Sequence, residues 1–279
     1  MRWRRWADQV LISLFDPACA GCDGPLTHER RGPVCAVCWA GITRPTGPLC
    51  ACCGDPLPLV AAPAAARCRA CRDHPPAFDE ARAAGLFDTT LRRVVHAFKY
   101  HGHRELAVPL AALMRQAAPD WFSDLSGLVA VPVPLPPWRQ LARGFNQADA
   151  LAHALGLPTR RLLRRRHGGP SQTHASMTAR GTNARGAFAP ALVRFGAMPH
   201  QVLLVDDVLT TGATAGACAA VLKACGAQSV RVLTVARTAS RPHGAGQSVM
   251  PSRGNTAVST AARTSSLSRS PSMSTQPGC

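Results

Sequence analysis

Nowhere does the chain approach the roughly 18 consecutive apolar residues that a membrane-spanning helix needs, so no span is expected. The start, MRWRRWADQVLISLF, is basic. Its apolar run from Val10 to Phe15 is nevertheless too short for a signal-peptide core, and no small-residue cleavage site follows, so a soluble cytoplasmic protein is expected. Trp3, Trp6, Val10 and Leu14 fall instead on one face of an amphipathic helix over residues 1–17. The chain has no G-x-x-x-x-G-K-[ST], which counts against an ATPase. Acidic residues are scarce as well. Fifteen Asp and Glu stand against 32 Lys and Arg, a net charge of +17 over 279 residues. That balance points to a polyanion, whether nucleic acid, an anionic membrane or a phosphorylated metabolite. Between Trp138 and Phe195 there are ten Arg and one acid, Asp149.

Cysteine is abundant but badly placed for a disulfide scaffold. Nine of the 12 lie between Cys19 and Cys71, and eight form the pairs Cys19/Cys22, Cys35/Cys38, Cys50/Cys53 and Cys68/Cys71. Each C-x-x-C closes a knuckle whose two thiolates face one ion, and tetrahedral Zn²⁺ takes two knuckles, so the count predicts two structural Cys₄ zinc sites. Sequential and interleaved pairing both satisfy it, and Cys52 is left over. Residues 18–75 are proline-rich and poor in large apolar side chains, so metal would supply most of the folding free energy of this double ribbon. A redox role for the pairs lacks a thioredoxin-like context.

The stretch QVLLVDDVLTTGATAGACAAVLKACGAQSVRVLTVAR, Gln201 to Arg237, organises the remainder. Val202 to Val205 reads as a buried strand, Asp206 and Asp207 follow, and a helix runs from Ala213 to Cys225 and stops at Gly226. Val230 to Val235 is a second buried strand, completing a parallel strand, loop, helix, strand unit. A helix N-terminus offers unpaired N–H groups, so Thr210, Thr211, Gly212, Ala213 and Thr214 form a phosphate cradle. Adjacent carboxylates would repel phosphate, and are better suited to sugar hydroxyls or to Mg²⁺. A phosphorylated ribose satisfies both halves. VLLVDDVLTTGAT resembles the phosphoribosyl pyrophosphate signature of type I phosphoribosyltransferases, and an α/β fold with a parallel sheet and flanking helices is expected over residues 76–239. A solvated strand end and a Walker B segment are the other readings of the twin Asp.

Ahead of it lie a strand over Ala81 to Phe87, helices over Leu91 to Phe98 and Arg104 to Ala117, and a buried strand, Leu128 to Val133. That strand ends in prolines, which puts its loop on the carboxyl edge of the sheet, where open α/β folds bind ligands. Arg160 to Arg166 reads as a solvated basic face, a nucleic-acid track or part of a phosphate field; Lys99 is a surface lysine or a phosphate contact. From Ser240 to Cys279, 14 of 40 residues are Ser or Thr with no acid and no Phe, Trp or Tyr, the composition of a disordered tail.

The four Cys pairs, FKYHG, VPVPL, RGFNQA, QTHASMTARGTNARGAF and VLLVDDVLTTGAT through VART occur in an order that resembles the ComF family of bacterial proteins, over nearly all of Phe15 to Thr238. The resemblance implies a double zinc ribbon joined to a type I phosphoribosyltransferase-like domain and an association with DNA uptake and use. Partners it implies are DNA and a competence-machinery protein such as a DNA-uptake helicase. It also implies roles: Asp206 and Asp207 as catalytic, ribose-holding acids, Thr210 to Thr214 with Lys99 on the phosphate, and Mg²⁺ on phosphoribosyl pyrophosphate. Arg143, Asn146, Gln172, Arg180 and Arg185 would belong to substrate loops. Where familiar enzymes place acidic or small hydroxyl residues after the VPVP prolines, this chain has Leu135, Pro136, Pro137 and Trp138. Transferase activity and a catalytically silent, nucleic-acid-handling adaptor are both compatible with these features.

Overall fold

Val202 to Val205 is apolar without interruption, and Val230 to Val235 is broken only by half-buried Arg231 and buried Thr234, because both strands are covered on both faces. In the computed structural model, which describes residues 18–26, 32–58, 65–100, 102–166, 186–191 and 197–239, they belong to a four-stranded parallel sheet. Its strands are β1 (Glu80–Leu86), β2 (Leu128–Pro132), β5 (Gln201–Leu209) and β6 (Ser229–Arg237), in the order β1-β6-β5-β2. The expected N-terminal helix, the tail from residue 240, and Gln172, Arg180 and Arg185 lie outside the described residues. Short β3 (Leu163–Arg165) and β4 (Phe188–Pro190) form a separate antiparallel pair that the basic composition of Arg160 to Arg166 conceals.

Alternate residues of β5 feed two cores, as a period of two requires. Leu203 and Val205 pack with α3 (Thr89–Tyr100), α4 (Ala107–Ala117) and α6 (Gln147–Ala154) through Leu91, Phe98, Leu110, Met114 and Leu151. Val202 and Leu204 pack with Cys218, Ala219 and Leu222 of α7 (Ala213–Ala224) on the opposite side. Helices on both faces of a parallel sheet give the doubly wound arrangement whose ligands bind at the carboxyl edge. Helix α5 (Pro137–Arg143), just after β2, buries none of its residues.

The cysteine-rich segment does not stand apart from these cores. Val34 and Ile42 join the first and Cys50, Cys52 and Cys71 the second, so the two ribbons sit astride the β1 edge. Between them the chain runs along that edge: Leu86 donates its N–H to Thr43 O at 2.8 Å and Ala81 to Cys52 O at 2.6 Å. An exposed parallel edge would be a template for unwanted pairing, and the ribbons cover it. Gly54 makes the close approach possible, since its φ is +70° and a Cβ there would lie 2.5 Å from Ala81 O.

Candidate functional site

The eight cysteines assemble sequentially. Cys19, Cys22, Cys35 and Cys38 form one cluster and Cys50, Cys53, Cys68 and Cys71 another, with the sulfurs of each within 4.8 Å of one another. The clusters repeat one plan. Cys19 N–H bonds Gly24 O and Cys50 N–H bonds Asp55 O, closing the first knuckle of each. The second knuckle opens a one-turn helix, α1 (Ala36–Ala40) after Cys35 and α2 (Arg69–Asp73) after Cys68. Cys35 N–H donates to Cys19 Sγ at 3.2 Å and Cys68 N–H to Cys50 Sγ at 3.3 Å. Burial raises the Cys19 and Cys50 thiols, but the backbone donors outweigh it and bring both pKa values to about 7. That favours thiolate, the form that binds metal. Four sulfurs at mutual contact, with N–H groups already aimed at two of them, suit tetrahedral zinc. Cys52 is buried outside both clusters, and burial raises its thiol.

Strand β5 continues past the point where its apolar run ends, so Asp206 and Asp207 lie inside the strand rather than beyond it, Asp206 paired with Thr234. Consecutive strand residues leave on opposite faces. Asp207 meets Lys99 Nζ of α3 at 2.8 Å, both side chains largely buried. Asp206 faces α7, where its charge helps raise the already buried Cys218 thiol. The Asp206 carboxyl is pushed up to about 7 by burial and then by Asp207, against the Asp207 N–H bond and Lys99. The twin acids thus flank the strand in different surroundings.

Residues Thr210 to Gly212 form the turn into α7. Gly212, at φ +77°, is the helix N-cap, and Ala213 N–H reaches Thr211 Oγ1 at 3.4 Å. Thr210 and Thr211 are exposed, and α7 begins at the expected cradle with no acid in its first turn. On the Asp206 side, Arg165 of β3 lies over the Phe188 ring; burial and then the charge of Arg139 lower its pKa. The two guanidiniums repel each other, which adds positive charge on this side of the sheet.

Asn146 caps α6 through Ala148 N–H and donates to Val133 O, fixing the loop after β2. Arg143 is held by Tyr100 Oη at 2.6 Å and Gln147 Oε1 at 2.9 Å, and lies over the Tyr100 ring. Tyr100 follows Lys99 directly, so RGFNQA and FKYHG converge on one corner of the carboxyl edge, joined further by Phe98 against Phe145 and Arg104 on Gly144 O. Sequence reading missed Tyr100 and Arg139 as site neighbours, for which the alternation of cationic and aromatic side chains in KY and WRQLAR was the available signal, whereas Arg165 falls in the run read as part of a phosphate field. Asp149, the one acid of the arginine-rich stretch, takes a bidentate bond from Arg161 at 2.7 Å to each oxygen.

Against known proteins, residues 10–72 match the double zinc ribbon domain and residues 141–255 the phosphoribosyl transferase domain. The DNA utilization protein YhgH of Salmonella typhimurium is 33% identical over 229 residues, spanning 79% of this chain and 96% of that protein. The chain belongs to the ComF family. Competence protein F of Haemophilus influenzae is 29% identical over 236 residues, 81% of this chain and all of that protein. Competence protein ComFC of Streptococcus pneumoniae is 33% identical over 108 residues, 38% of this chain and 47% of that protein. The architecture is accordingly a type I phosphoribosyltransferase-like parallel sheet preceded by a small double zinc ribbon, whose two Cys₄ clusters are its structural zinc sites. Among the described residues no helix is long and apolar enough to cross a membrane.

Proposed function

We propose that this ComF-family chain binds a phosphorylated ribose, phosphoribosyl pyrophosphate or a close relative, at the carboxyl edge of β5. The observation that carries the reading is the junction of the carboxylate strand with the left-handed Gly212 cap of α7. Thr210, Thr211, Ala213 and Thr214 supply hydroxyl and N–H donors for the 5-phosphate. Asp207, oriented by Lys99, and Asp206 accept from the ribose hydroxyls. Mg²⁺ would arrive on the diphosphate and neutralise part of its charge as it leaves. Arg139 and Arg165, whose guanidiniums repel each other, provide positive charge for a diphosphate. Displacement at the anomeric carbon asks mainly for positioning and charge stabilisation, which this arrangement offers without a dedicated base.

Calorimetric titration with phosphoribosyl pyrophosphate, ribose 5-phosphate and inorganic phosphate tests the site. Asp207→Asn should weaken the first two by about tenfold to a hundredfold, the loss of a charge-assisted bond, and spare phosphate. Gly212→Val should weaken all three, because a β-branched residue resists positive φ. Unchanged affinity in both variants would place the site elsewhere. Pyrophosphate release with nucleobases or amines as acceptors then separates turnover from binding.

A second reading, a nucleic-acid-handling adaptor, is favoured by one surface. Trp138 is 60% exposed and Leu141 87% on a helix that buries nothing, Arg139 lies 4.9 Å over Trp138, and Arg143 lies 4.6 Å over exposed Tyr100. Planar groups interleaved with guanidiniums suit stacked bases and a phosphate backbone. The names of the relatives, competence and DNA utilisation, accord with that surface.

A further inference from the structure

Arg237, the last residue of β6, is 3% exposed and forms an ion pair with Asp55, 5% exposed, at 2.9 Å. Its guanidinium also donates to the carbonyl of Cys53 and lies 4.0 Å from the Cys53 sulfur. Asp55 is itself part of the knuckle, because its carbonyl accepts the Cys50 N–H. One buried cation therefore grips both sides of the second cluster's first knuckle from the end of the central sheet. The first cluster has a weaker counterpart. Arg93 of α3 reaches Gly21 O and the Asp23 carboxylate, each at 3.3 Å, but those ion-pair side chains are 50% and 82% exposed. An exposed pair at that distance is screened by water and salt, whereas a buried one is screened much less.

We propose that Arg237 is an outer-sphere residue of the second zinc site, and that the chain consequently holds its two zinc ions unequally, the first site exchanging and the second retaining its metal. Partners of metal ligands fix their orientation, and their loss commonly lowers metal affinity by about 10- to 100-fold. Leaving the second ribbon would strand Arg237 and Asp55 as buried charges, a further barrier that the first ribbon lacks.

The test is zinc release from the full-length, zinc-loaded protein into excess 4-(2-pyridylazo)resorcinol. The parent should release one ion quickly and one slowly. Assignment comes from Cys22→Ser, which should remove the fast phase. Arg237→Gln should speed the slow phase by about tenfold or more and leave the fast one unchanged. Arg93→Gln, or raising salt, should speed only the fast phase. Because Arg237→Gln takes the guanidinium away from the buried Asp55 carboxylate, the double variant Arg237→Met with Asp55→Leu is the folding control. Buried ion pairs replaced by apolar residues of similar volume commonly leave folding intact. If that variant is folded by circular dichroism and still releases its second zinc at the parent rate, or if the parent releases both ions in one phase, the proposal is overturned.

Discussion

Asp206→Asn should stabilise the protein, increasingly so as the pH rises. Burial first and the Asp207 charge second raise the Asp206 carboxyl from 3.8 to about 7. The folded state therefore keeps a proton that the unfolded chain gives up. Stability linked to this group is complete below about pH 4 and is lost as the pH climbs through about 7. Between about pH 5.5 and 8.5 the parent should lose about 2 kcal/mol that the Asn variant does not, since each pKa unit is about 1.36 kcal/mol. In a domain of this size that difference is roughly 4–8 °C in Tm. Asn retains an acceptor oxygen for the Asp207 N–H, now bonded at 2.8 Å, so the local turn of the backbone survives the change. Thermal melts of both proteins, with zinc supplied throughout, measure the effect; parallel pH curves, or a variant less stable at pH 8.5, would refute the argument. The same variant should bind ribose 5-phosphate more weakly, a group kept for ligand at the expense of stability.

Metal analysis of reduced protein prepared without chelator should find about two zinc ions per chain, by the Cys₄ count; one or none would contradict the sequential clusters. Gly54→Ala forces a Cβ against Ala81 O at 2.5 Å with φ at +70°, and should loosen the second ribbon from β1, seen as faster proteolysis within residues 50–75. Leu203→Ala, in a site with 0% exposure, should lower stability by about 2–5 kcal/mol in chemical denaturation. If single-stranded DNA binds the exposed surface of α5, Trp138→Ala should weaken it by about 1–3 kcal/mol at constant salt dependence. Arg139→Ala should instead reduce the salt slope by about one. Equal binding by both variants would remove that surface from consideration.

Local chemistry explains what could be read without coordinates. Val202 to Val205 and the mostly apolar Val230 to Val235 are strands because they are largely buried on two faces, a pattern that few other structures tolerate. The helix over Ala213 to Ala224 and its glycine entry are short-range matters, as are the C-x-x-C knuckles, whose ligands lie three residues apart. Even the carboxyl-edge placement of the VPVPL loop follows from a parallel strand ended by proline.

Tertiary structure decided everything that depends on residues distant in the chain. The four knuckles could pair in more than one way, and only the return of Cys35 onto Cys19 and of Cys68 onto Cys50 makes the pairing sequential. Two adjacent aspartates look equivalent in sequence. They differ because a strand turns them to opposite faces, where Asp207 meets Lys99, 108 residues earlier by number, and Asp206 faces the buried Cys218 of α7. Arg237 in VART reads as the end of a strand, yet its partner Asp55 lies in another domain's knuckle, and a buried ion pair across 182 positions leaves no local periodicity to find. Charge counting likewise could not show that Leu162 and Leu163 are buried within the basic run, or that Arg161 pairs with Asp149 while Arg165 lies over the Phe188 ring. Sequence determines the elements through interactions that decay within a few residues, whereas a site is assembled by the packing that brings their ends together.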